Sequence, residues 1–142
     1  MKMATLKGAS FELSLQVLGY ENGDAQDAYD LKWFKCEIVA VSGTFRAVSP
    51  CSLLMSELEQ LYSDLEFFLQ SKSSAEVSFE NFEENLSLNA KKENDFTSSV
   101  NIKVTDNNPP EKSLTLAASI ENHNMEYFKN DIYLLTHLTQ SL

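Results

Sequence analysis

The chain has 142 residues, 43% of them hydrophobic, enough to bury the core of one ordinary domain, and a single domain over residues 1–142 is expected. Eleven Lys and Arg against 21 Asp and Glu give 11 − 21 = −10, a charge that disfavours direct binding to nucleic acid or membrane and attracts basic proteins. The opening MKMATLKGAS has no apolar run of signal-peptide length and no stretch of 18 apolar residues occurs, so a cytoplasmic protein is expected.

The first predicted element is a half-buried strand in which Phe11, Leu13, Leu15 and Val17 alternate with Glu12, Ser14 and Gln16, with Gly19 marking its end. A polar loop from Glu21 to Asp30 follows, built around the turn dipeptide Asn22-Gly23 and carrying four acids and no base. Leu31 to Val41 is apolar on both faces, which predicts a central strand covered on both sides, and its aromatics, Trp33 included, are assigned to packing. Ser42-Gly43 reads as a turn and Thr44 to Val48 as a returning strand. Ser56 with Glu59 forms a capping-box pattern ahead of Leu58, Leu61, Tyr62, Leu65, Phe68 and Leu69, the clearest helix in the chain.

After the Ser-rich connection at Ser71 to Ser74, four more alternating segments predict a second antiparallel meander. They run through Val77 and Phe79, through Leu86 to Ala90, through Val100 to Val104, and through Leu114 to Ala118. Asn107-Asn108-Pro109-Pro110 is a turn, since proline supplies no ladder donor. Met125, Phe128, Ile132, Leu135 and Leu138 predict a helix within Asn122 to Leu142, capped by Asn122 or Asn124. The fold class is therefore α+β: a mainly antiparallel sheet of about seven strands, with one helix between the meanders and one at the C-terminus.

Chemistry-bearing patterns are sparse. His123 and His137 would lie about 21 Å apart along one helix and cannot share a metal. Asp24, Asp27 and Asp30 lack the spacing and the closing glutamate of a calcium loop, and no zinc spacing, phosphate loop or G-x-S-x-G occurs. No metal, cofactor or catalytic residue is expected. Cys36 and Cys51 are expected to be free thiols in a domain that folds on its core.

The segment F-x-L-x-L-x-V-L-G-Y-E from Phe11 to Glu21, then the short acidic loop, then Y-D-x-x-W from Tyr29 to Trp33 resembles the start of WapI-family immunity proteins, and the later element order fits along nearly the whole chain. The resemblance implies a cytoplasmic antitoxin that forms a one-to-one complex with the C-terminal domain of a WapA-type cell-wall-associated toxin. In the family's best-known system that domain is a tRNA-cleaving nuclease, and inhibition would occlude the surface that holds tRNA. Neither nucleic acid, nor membrane, nor a small-molecule substrate is implied as a direct partner. Such interfaces diverge with the toxin, so no contact residues carry over.

Charge complementarity then singles out two patches, carboxylates standing where phosphates otherwise lie. One, between Ala9 and Leu31, holds Glu12, Glu21, Asp24, Asp27 and Asp30, with Tyr20 and Tyr29 as anchors; the other holds Glu76, Glu80, Glu83 and Glu84. One of the two is expected at the centre or near rim of the toxin interface. The rival readings are a generic acidic interaction module, a small hydrolytic enzyme using paired carboxylates, and an oligomerisation domain.

Overall fold

The computed structural model describes residues 2–21 and 33–139. Eight strands and two helices follow in the order β1 (Lys2–Lys7), β2 (Phe11–Tyr20), β3 (Trp33–Ser42), β4 (Phe45–Leu54), α1 (Met55–Gln70), β5 (Glu76–Glu80), β6 (Leu86–Lys92), β7 (Thr97–Asp106), β8 (Lys112–Glu121) and α2 (Asn122–Thr139). The class is α+β with every strand pair antiparallel, and the strands divide into two four-stranded meanders, β1-β2-β3-β4 and β5-β6-β7-β8. The strand beyond the seven predicted is β1, whose inward residues are only Ala4 and Leu6.

Alternation builds the first sheet. Leu13, Leu15, Phe34, Ile38 and Leu53 turn inward and are buried. The double-sided apolar pattern of β3 predicted burial on both faces, but only the face of Phe34, Cys36, Ile38 and Ala40 is fully buried. Trp33, Val39 and Val41 are half-buried on the other. β2 runs past Gly19 because a bulge absorbs one residue: Val17 pairs with Cys36 and Gly19 with Lys35, leaving Leu18 exposed. Gly19 adopts φ 155°, a backbone conformation that side chains disfavour.

The β3–β4 turn is Gly43-Thr44, closed by Ser42 opposite Phe45. β4 continues to Leu54, well beyond Val48, because it is an edge strand. Pro50 faces Glu37 at an odd offset from the closing pair, where no donor toward β3 is required. Cys36 and Cys51 are directly opposed in this ladder as buried free thiols. The neighbouring Cys51 thiol and burial together push the Cys36 thiol above its ordinary range.

Helix α1 buries Leu58, Leu61, Leu65 and Phe68, and each such side chain contributes about 1.5–3 kcal/mol relative to exposure. Ser56 is not the cap. The cap is Leu54, two residues earlier, and its N–H donates to Glu57 Oε1 at 2.9 Å. At the other end, the buried Lys92 of β6 donates to the Leu69 and Ser71 carbonyl oxygens at 2.8 and 2.6 Å. Helix α2 packs on α1 and covers the outer edge of β1, where the Thr5 N–H donates to Asp131 Oδ2 at 3.1 Å. The Asn122 side chain ties α2 to the β6–β7 region, accepting from Ser98 Oγ at 2.5 Å and donating to the Asn94 carbonyl at 3.0 Å. Side chains from both sheets and both helices form one core cluster. No described helix is long and apolar enough to cross a membrane.

Candidate interaction surface

The turn between β5 and β6 is polar in sequence, Asn81 to Asn85, yet its first and last residues are buried. Asn81 Oδ1 accepts the Asn85 and Leu86 N–H groups, both at 2.8 Å, and Asn81 Nδ2 donates to Asn85 Oδ1 at 3.2 Å. Asn85 Nδ2 donates to the Thr105 carbonyl at 3.2 Å, and that carbonyl also accepts from Ser49 Oγ of the first sheet at 3.0 Å. Asn107 Nδ2 reaches the Glu83 carbonyl at 2.8 Å. The turn is thus fastened to β7, to the turn after it, and through Thr105 to the first sheet. A buried amide network of this kind, with its partners satisfied, fixes one backbone path.

Glu83 and Glu84 ride on this framework, Glu84 at φ 62°, in the left-handed region where an L side chain is disfavoured by about 1–2 kcal/mol. The adjoining residue, Phe82, donates its N–H to Glu57 Oε2 at 2.7 Å, so one carboxylate joins the start of α1 to this turn. Phe82 is exposed and meets Trp33 edge-on, with ring centroids 6.3 Å apart.

Glu21 arrives from the other sheet. Its N–H donates to the Trp33 carbonyl at 2.9 Å, and its Oε2 accepts from Ser52 Oγ at 2.7 Å. Glu21 and Glu83, one from each predicted patch, line a common groove of about 240 Å³ together with Asp106 and Lys35. Asn107 is shared with an adjoining hollow of about 120 Å³, lined by Glu80, Glu84, Glu111 and Lys103. The strip therefore carries six carboxylates against two ammonium groups. Both hollows fall below the roughly 300 Å³ at which small-molecule sites begin, so their shape suits a protein surface better than an enclosed substrate.

Not every predicted residue joins the strip. Glu76 lies at the far end of β5, about 13 Å along the strand from Glu80, opposite Lys91. Tyr20 is half-buried, stacked on Phe34 with centroids 5.1 Å apart and packed against the core. Asp24, Asp27, Tyr29 and Asp30 lie outside the described residues. Asp106, Glu111 and Phe82 were not singled out from the sequence. Phe82 had a signal: it stands at the outward parity of the β5 alternation, flanked by Glu80, Glu83 and Glu84.

Other concave regions have different chemistry. A cleft of about 550 Å³ on the outer face of the first sheet is lined by Lys7, Glu12 and Arg46 among apolar and small residues. His123 pairs with Glu121 at 3.2 Å, while His137 Nδ1 lies 2.9 Å from the Tyr133 carbonyl. No group of three metal-ligating side chains occurs among the described residues.

The family model that matches the chain is described as the immunity protein WapI-like family, and the match runs over residues 5–137, from within β1 into the last turn of α2. No curated protein matches the chain.

Proposed function

The chain belongs to the WapI-like immunity protein family, and from that premise we propose that it is a cytoplasmic antitoxin that binds the C-terminal tRNA-cleaving domain of a WapA-type toxin one to one. It acts by occupying the surface that holds tRNA and performs no chemistry. The observation that carries this reading is the acidic strip spanning both sheets, Glu21, Glu83 and Asp106 in one hollow and Glu80, Glu84 and Glu111 in the next. A nuclease presents cations to the phosphate backbone, and these carboxylates offer the same charge on a rigid surface. Electrostatic steering of this kind raises association rates to about 10⁸ M⁻¹s⁻¹ or more at low salt, against roughly 10⁵–10⁶ without it. Fast capture suits a protein that must act before substrate is cut.

The test is a titration of the purified protein into the C-terminal domain of a WapA-type toxin from the same strain, with tRNA cleavage as the readout. Cleavage is expected to vanish at equimolar ratio. Undiminished cleavage with no complex, across the toxin domains of that strain, would overturn the proposal.

A further inference from the structure

The large apolar side chains outside the core are not equivalent. Phe67, Phe82 and Phe96 are 74%, 77% and 79% exposed, yet Phe82 is set apart by its aromatic partner and by its place next to Glu83 of the acidic groove. Its ring stands edge-on to Trp33, its N–H is fixed by Glu57, and the next residue is held through the bond from Asn107 to the Glu83 carbonyl. The backbones of Trp33 and Phe82 adjoin residues of the acidic groove: the Trp33 carbonyl accepts the Glu21 N–H, and Phe82 immediately precedes Glu83. An exposed aromatic on a backbone that is already ordered loses little further freedom when a partner covers it, which is the property of an interface anchor.

We propose that the Trp33–Phe82 pair is the apolar anchor of the toxin interface, inserted into a nonpolar recess on the toxin's basic face while the surrounding cations meet Glu21 and Glu83. Charge complementarity selects this occupant. A second copy of the chain would bring the same carboxylates against each other, and a nucleic acid or an anionic membrane would be repelled by them. The inference rests on the proposed function, and its test separates the two.

Trp33 is the sole tryptophan, so protein labelled with 5-fluorotryptophan gives one ¹⁹F resonance that reports on this site directly. Saturation with the cognate toxin domain is expected to shift that resonance and to remove its response to a soluble paramagnetic relaxation agent. In parallel, Phe82→Ala is expected to weaken toxin binding about thirtyfold, chiefly through faster dissociation, while Phe67→Ala and Phe96→Ala stay within about twofold. Phe82→Leu, which keeps an apolar body at the site, is expected to lose less than Phe82→Ala. An unmoved, agent-accessible resonance in a saturated inhibitory complex, or Phe82→Ala within about threefold of wild type, would overturn the anchor and leave the antitoxin reading standing. Failure of the wild-type protein to bind any toxin domain of its strain would overturn both.

Discussion

Lys92 shows how much one side chain can settle. Its ammonium group is buried beneath the end of α1, where two carbonyl oxygens accept from it and the Phe68 ring lies 5.6 Å away. Helix C-termini leave carbonyls without intrahelical donors, and a cation there also meets the negative end of the helix dipole. Lys92→Met keeps the apolar stem but removes both charge-assisted bonds. A loss of about 1–3 kcal/mol is expected, read as a lower urea midpoint at unchanged slope. The sequence hid this role, because a lysine next to Lys91 and Glu93 reads as solvated surface. What buries it is the inward parity of β6, shared with Leu86, Leu88 and Ala90.

At the scale of elements, the strands with strong alternation were legible from Phe11 onward, and the two helices declared themselves through their apolar stripes. The differences have local causes. β1 offers two small inward contributions between lysines, too faint a pattern to stand apart from a polar terminus. β4 is longer than its alternation because an edge position tolerates Pro50. The capping box was displaced because Glu57 serves two elements at once, accepting from Leu54 and from Phe82. Glu57→Ala is therefore expected to loosen the helix start and the β5–β6 turn together. Stability should fall by about 1–2 kcal/mol, and amide exchange at Phe82 should accelerate beyond what the global loss explains. Exchange that rises at the helix start alone would refute that coupling.

For the whole molecule, the sequence pointed to two acidic patches but could not show that Glu21 and Glu83 line one groove, since that proximity depends on how the two sheets meet. The two meanders were legible as successive runs of alternating segments, but their separation into two sheets was not, because alternation fixes which side of a strand faces inward and not whether the two runs join in one ladder. Because steering is a property of summed charge, Glu21→Lys combined with Glu83→Lys is expected to lower the association rate with the toxin domain about tenfold or more at low salt and to flatten its dependence on ionic strength. Glu76→Lys, at the far end of β5, should change either quantity much less. Glu76→Lys adds half as much charge as the double variant, so an effect on the logarithm of the rate about half as large would mean that net charge, rather than the groove, guides encounter. The fastening of the β5–β6 turn has a consequence of another kind. Asn81, Asn85, Ser49 and Thr105 hold the frame, while the side chains of Phe82, Glu83 and Glu84 carry none of the bonds that do so. The residues that would meet a partner can thus be exchanged without dismantling the scaffold, so new specificities lie a few substitutions away from an intact fold.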